Sequence, residues 1–272
     1  MKKPSPQIDA RAARRRFERA ARTYAQAARL EAEVGSRMLE RLAYLKIEPR
    51  RILEAGAGPA RESRDLLSRY KGTEILALDF SRAMLLSGKK RFFEKKTFVC
   101  ADLARLPLAA GSIDLVWSNQ ALHWADPRAA IEEFARVLAP EGLLMFSTLG
   151  PDTLKELRAA AGEQRVHRFV DMHDLGDLLV AAGFAAPVME MEILTFSYAR
   201  GAQLLEDLRA SGQTNARDDR PRGLAGRNFL QRLSSIAPQA TFEVIYGHAW
   251  KGAPRQLADG RAIVQFRSPK SG

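Results

Sequence analysis

The stretch Ile52-Leu53-Glu54-Ala55-Gly56-Ala57-Gly58-Pro59-Ala60 reads as an apolar strand that runs into a glycine-rich turn and then a helix. Glycines at 56 and 58 let a ligand approach the backbone closely, and the amides of the following helix point into the same space. A Gly-x-Gly alone does not name that ligand. A dinucleotide fold would place a third glycine two or three residues further on, where this chain has Ala60 and Arg61.

Outward from the turn, short apolar runs alternate with helical patterns. Strands are expected over 51–55, 74–78, 97–100, 113–118 and 143–148, with helices over 62–70, 81–91 and 129–138. Strands joined through helices need right-handed crossovers, so the chain should be an α/β protein with a doubly wound parallel sheet covered on both faces. Upstream, Ala13, Phe17, Ala20, Tyr24, Ala28, Val34, Met38, Leu42 and Leu45 recur at helical spacing, and Pro49 ends the pattern. That predicts one or two amphipathic helices. After Gly150 a helix should begin near Asp152, followed by an irregular stretch over 166–170 and a helix over 174–182. Two long alternating strands, 188–198 and 241–250, bracket a helical insertion rich in Arg and Gly and read as an antiparallel edge pair. A short strand is expected over 262–266. With 272 residues and 46% apolar content, one domain is expected: a helical lid over 1–49, a ligand-binding core over 50–150, and the rest of the same domain over 151–272.

No apolar run approaches the roughly 20 residues that cross a bilayer, and the start lacks a secretory apolar core, so a soluble cytoplasmic protein is expected. Cys100, the single cysteine, can form no intrachain disulfide and supplies no metal cluster; it reads as a small buried strand residue. No metal is expected. The net charge is +11 with a pI near 10.1, which favours acidic partners: nucleic acid, an anionic membrane face or an acidic carrier protein. Much of the excess lies at the start, where Lys2, Lys3, Arg11, Arg14, Arg15, Arg16, Arg19 and Arg22 outnumber Asp9 and Glu18.

Acidic residues close three successive strands. Asp79 ends Leu76-Ala77-Leu78-Asp79, where a carboxylate can accept from both hydroxyls of a ribose. Asp102 follows the third strand and can accept from an adenine amino group. Glu54 is placed to meet an ammonium. Any one of these could instead cap a helix; together, beside the glycine turn, they point to an adenosine ligand.

This pattern resembles the class I S-adenosylmethionine-dependent methyltransferases over about residues 51–148, with further signatures in Leu106-Pro107-Leu108, Ser112-Ile113-Asp114-Leu115-Val116 and Leu138-Ala139-Pro140-Glu141-Gly142-Leu143-Leu144. The resemblance implies a Rossmann-like, mostly parallel seven-stranded sheet and S-adenosylmethionine as cofactor. The expected binding set is Glu54, Gly56, Gly58, Asp79, Phe80, Met84, Asp102, Leu103 and Asn119. Two departures stand out: Glu54 where the family usually has Asp, and Ala60 where it often has Gly.

The acceptor must be argued from the rest of the site. No Asn-Pro-Pro-Tyr or Asp-Pro-Pro-Tyr follows the fourth strand, which ends Ser118-Asn119-Gln120-Ala121-Leu122-His123-Trp124, so methylation of exocyclic base amines is disfavoured. One strand-borne cysteine disfavours thiolate-assisted pyrimidine chemistry. A carboxylate acceptor needs no general base, only alignment and exclusion of water. Lys155, Arg158 and Arg168 are candidates to hold it, and His123 either orients the acceptor or caps a turn.

The outer segments Phe17-Glu18-Arg19-Ala20-Ala21-Arg22-Thr23-Tyr24, Phe146-Ser147-Thr148-Leu149-Gly150-Pro151-Asp152-Thr153-Leu154-Lys155-Glu156-Leu157, Asp171-Met172-His173-Asp174-Leu175-Gly176-Asp177 and Glu243-Val244-Ile245-Tyr246-Gly247-His248-Ala249-Trp250 resemble the malonyl-acyl-carrier-protein O-methyltransferases of biotin synthesis. That resemblance implies esterification of the free carboxylate of a malonyl thioester, on acyl carrier protein or coenzyme A. It implies an N-terminal lid that brings Tyr24 beside the methyl group; the alternative for Tyr24 is a core aromatic. Tyr24, His123, Lys155 and Arg168 are the expected catalytic set. The Arg-rich insertion over 217–232 is the expected docking surface for the acidic carrier, with a solvated loop as the alternative. A complex I assembly factor, an RNA-directed methyltransferase and an inactive relative stay open as other readings.

Overall fold

A computed structural model describes residues 8–88, 95–223 and 238–252. Its frame is one seven-stranded sheet of β1 (Arg51–Ala55), β2 (Glu74–Asp79), β3 (Lys96–Cys100), β4 (Ile113–Ser118), β5 (Leu138–Leu149), β6 (Phe184–Ser197) and β7 (Gln239–Lys251), in the order β3-β2-β1-β4-β5-β7-β6. β1 to β5 run parallel, and β7 runs antiparallel to both β5 and β6. The two late strands thus pair antiparallel at one edge of the sheet, as expected, but only β7 opposes the sheet's direction. The order reverses between β1 and β4, where ligands of such sheets bind at the strands' carboxyl ends.

Successive strand residues serve opposite faces. Ile52 and Trp117 pack with Val34, Met38, Leu42 and Leu66 on one side; Leu53 and Val116 pack with Ile131, Phe134 and Leu179 on the other. The first face is covered by α3 (Arg29–Leu42) and α4 (Ser63–Arg69), the second by α6 (Pro127–Val137) and α8 (Met172–Ala181). Local chemistry sets where these helices start. Asp126 accepts from the amides of Arg128 and Ala129 with Pro127 in the first turn, and Asp171 accepts from His173 N, both N-caps.

Several expectations shift. The N-terminal helical region divides into α1 (Ala10–Ala20), α2 (Tyr24–Ala27) and α3. The helix expected near Asp152 starts later, as α7 (Lys155–Ala161), because Leu154 takes a left-handed φ of 55° just before it. The helix over 81–91 is described only as α5 (Arg82–Ser87). Cys100 is exposed rather than buried, since β3 is an edge strand. The insertion between β6 and β7 opens with α9 (Gly201–Ala210); its residues 224–232 and the strand expected over 262–266 lie outside the described residues.

Candidate functional site

The strand-ending turns surround a cavity of about 550 Å³ including its open mouth. The glycine turn is sewn to β2: the amides of Gly56 and Ala57 both donate to Leu78 O at 2.8 Å. A Cβ on Gly56 would lie 2.1 Å from Ala121 Cβ, and its φ is +75°, so glycine there serves close packing of the β4 turn. Gly58 has φ +53°, and a Cβ built on it would lie 3.7 Å from the Tyr24 ring. Ala60 takes φ 55° without being glycine, a conformation that costs roughly 1–2 kcal/mol, and its amide bonds Ala57 O at 2.7 Å.

Asp79 holds this turn in register. Its Oδ2 accepts from Gly58 N at 2.9 Å and its Oδ1 from Ser81 N at 2.7 Å. Burial raises its pKa to about 6, against the pull of those two amides. Each oxygen keeps capacity for a further hydrogen bond. Asp102 also lines the cavity, and its Oδ1 accepts from Ala104 N at 2.9 Å; it both caps a turn and faces the ligand space.

Glu54 is placed differently from expectation. It is buried behind the turn, bonded by Ser63 Oγ, and does not line the cavity. It belongs to a group that sequence reasoning missed: Glu31 and Glu62 are buried with it, and Asn119 Nδ2 donates to Glu31 O at 2.9 Å and Glu62 Oε1 at 3.2 Å. Burial, with Glu62 nearby, pushes Glu54 up to about 8 and Glu31 up to about 7. Glu31 Oε1 and Glu54 Oε1 are buried without a hydrogen-bond partner. Glu31 lies far from the turn in sequence, and only the packing of α3, made close by Gly35 against Glu62 and Asn119, brings it in.

Tyr24, Phe80, Met84, Leu103 and Asn119 all line the cavity as expected, joined by Phe17 and Trp124. Phe17 packs edge-on to Trp124 at 4.9 Å and to Phe80 at 5.6 Å between ring centroids. α1 therefore closes one side of the cavity, as a lid would. Burial beside Glu31, Glu62 and Asp79 holds the Tyr24 hydroxyl well above its ordinary pKa, so it stays protonated and can donate. The helical spacing of Phe17 marked it as apolar but could not say which cavity it would cover.

Trp124, Ala125, Phe80 and Asp102 are shared with a second cavity of about 1840 Å³ including its open mouth. His123, Thr148 and Arg168 line this one. His123 Nδ1 and Thr148 Oγ1 are 3.2 Å apart, and burial, aided by His167, depresses the His123 pKa to about 3. It is neutral at physiological pH, an orienting group rather than a cation. His167 Nε2 accepts from Ala216 N at 2.7 Å, which puts its ring proton on Nδ1.

The candidate cations separate. Arg168 is exposed at the second cavity. Lys155 is exposed at the start of α7 and lines neither cavity. Arg158 braces a turn, donating to Pro151 O at 2.8 Å and Thr153 O at 3.2 Å. Arg217, expected on a docking surface, is only 2% exposed: it donates to Glu163 O, Val166 O and the Asp219 carboxylate.

The methyltransferase-domain family model matches residues 53–146. The YcgJ protein of Bacillus subtilis shares the fold with a TM-score of 0.61 at 15% identity, covering 82% of this chain and 99% of that one. A phosphoethanolamine N-methyltransferase 2 of Haemonchus contortus, solved in complex with S-adenosyl-L-methionine, aligns with a TM-score of 0.51 at 19% identity over 80% of this chain and 52% of its own. Sheet order, glycine turn and family match define the class: this is a Rossmann-like methyltransferase. A malonyl-acyl-carrier-protein O-methyltransferase of Methylovorus sp. strain MP688 is 49% identical over 96% of this chain and 95% of its own length. The chain belongs to the malonyl-acyl-carrier-protein O-methyltransferase family.

Proposed function

We propose that this enzyme transfers a methyl group from S-adenosylmethionine to the free carboxylate of a malonyl thioester on acyl carrier protein, masking the charge so that the chain can be elongated toward a pimeloyl group for biotin. The observation that carries this reading is the near full-length kinship to a relative of that name. The two adjoining cavities suit it.

The residues present fit the cofactor. Asp79 has acceptor capacity for ribose hydroxyls, and Asp102 lines the same cavity where it can accept from an adenine amino group. When bound, S-adenosylmethionine supplies a sulfonium-activated methyl group. Phe17, Tyr24 and Trp124 exclude water from the place where the two cavities meet. Arg168 attracts the malonyl carboxylate, which is already ionised at neutral pH and needs no base. Neutral His123 and the protonated Tyr24 hydroxyl orient it by hydrogen bonds. Alignment and dryness are thus the protein's main contributions.

The product's lability tests this reading. After reaction with methyl-labelled S-adenosylmethionine, mild alkali should release the label from malonyl-carrier product as volatile methanol, the behaviour of an ester. Label that resists alkali would mean that nitrogen or carbon was methylated.

A further inference from the structure

The solvent face of α1 carries Arg11, Arg15 and Arg19 at successive four-residue steps, and Arg22 extends the stripe beyond the helix end. All four are exposed. Arg14 lies beside them and is ion-paired at 3.0 Å to Glu18; the other four make no ion pair with a carboxylate among the described residues. The opposite face, with Ala12, Ala13, Phe17 and Ala20, is buried. For the helix alone this stripe is unfavourable. Like charges four residues apart repel, the first turn contains no acid, and Arg11 stands near the positive end of the helix dipole. A surface helix built only for stability would alternate signs here.

The stripe's position suggests its use. Ile8 and Ala10, at the beginning of α1, line the mouth of the second cavity, at which Arg168 is also exposed. Asp126, Asp171 and Asp174 line the same cavity, and Asp126 and Asp171 cap α6 and α8. The cavity's own lining is thus rich in acid, and the arginine stripe of α1 stands outside it, on the helix whose first residue, Ala10, reaches the cavity. Among the described residues after α9, Arg217 is buried, Arg220 is paired with Asp9 at 3.1 Å, and the exposed Arg222 has Asp218 and Asp219 exposed nearby in sequence.

Resting on the malonyl-carrier reading, we propose that the arginine face of α1 is the docking surface for the acidic carrier protein. The carrier seats on the exposed arginines of α1, and its thioester arm enters the second cavity, which the start of the same helix lines. Because Phe17 on the buried side of the same helix roofs the cofactor cavity, docking also holds that roof in place. Carrier binding and closure of the site are one event on one helix.

The test is the triple variant Arg11→Glu, Arg15→Glu, Arg19→Glu, assayed against malonyl-acyl carrier protein and against a malonyl thioester of a short uncharged thiol. The proposal predicts that kcat/KM for the carrier substrate falls at least about tenfold, mainly through KM, and that its salt dependence disappears. Turnover of the short thioester and cofactor affinity should stay within about twofold of wild type. The matching triple change to Gln, which removes charge without reversing it, should give an intermediate loss. Unchanged carrier turnover, or an equal loss on both substrates, would overturn the docking surface. If wild type methylates the carrier form and the variant does so equally well, docking alone fails; if wild type methylates the short thioester but not the carrier form, the carrier part of the functional reading fails with it. If it methylates neither, the functional reading itself is wrong.

Discussion

Replacing Asp79 by Asn should separate what this carboxylate costs the fold from what it contributes to binding. Burial raises its pKa from 3.8 to about 6 even with two amide donors in place. A carboxyl whose pKa is raised by folding gives stability that is fully present below the unfolded value and lost as pH rises through the folded one. The loss is complete above pH 6 and amounts to about 3 kcal/mol at 1.36 kcal/mol per pKa unit. Asn cannot ionise, so it escapes that loss. Whatever constant difference the amide introduces at low pH, the variant should gain about 2–3 kcal/mol on wild type between pH 4 and pH 8, read by urea unfolding at each pH. Cofactor affinity should move the other way, weakening by about 1–3 kcal/mol as ribose hydroxyls lose a charged acceptor, read by calorimetry at pH 8. Parallel pH profiles would refute the claim of a costly buried charge, and an unchanged Kd would refute the ribose assignment.

Other consequences are as direct. His167, held neutral with a pKa of about 3, should make wild type lose about 2 kcal/mol relative to His167→Gln between pH 6.5 and 4.5, because the unfolded chain takes up the proton first; equal slopes in denaturant titrations would contradict this. Gly56→Ala must fit a Cβ 2.1 Å from Ala121 Cβ at a φ of +75°, and should lower stability by about 3 kcal/mol or more; a melting temperature near wild type would show that the turn can relax. Arg168→Ala should raise KM for the malonyl substrate or lower kcat and leave cofactor affinity intact; unchanged kinetics would remove Arg168 from the site.

What could be read in the sequence follows a physical divide. Short apolar runs located the parallel strands because both sheet faces are buried there, and helical spacing located the helices that cover them. The turn at Gly56 and the strand-ending Asp79 and Asp102 were legible for a related reason: the topology delivers strand ends to one edge. Residues whose role depends on distant packing were not. Glu31 reaches Asn119 and the buried Glu62 only through the close approach of α3 at Gly35, and Phe17 roofs the cavity only because α1 folds across it. Charge alone also misled. Arg217 reads in the sequence as part of a docking surface and Arg158 as a holder of the carboxylate, yet their guanidiniums bond backbone carbonyls. Glu54 ends its strand as expected, but its side chain alternates to the face beneath α4, where Ser63 meets it.

The central claim, that the two adjoining cavities join a methyl donor to a malonyl carboxylate, is tested most directly by transfer from labelled S-adenosylmethionine to malonyl-acyl carrier protein, with acetyl-acyl carrier protein as the control that lacks the carboxylate. Label on the malonyl form alone is the predicted result. No transfer despite measured cofactor binding, or equal labelling of both forms, would contradict the account.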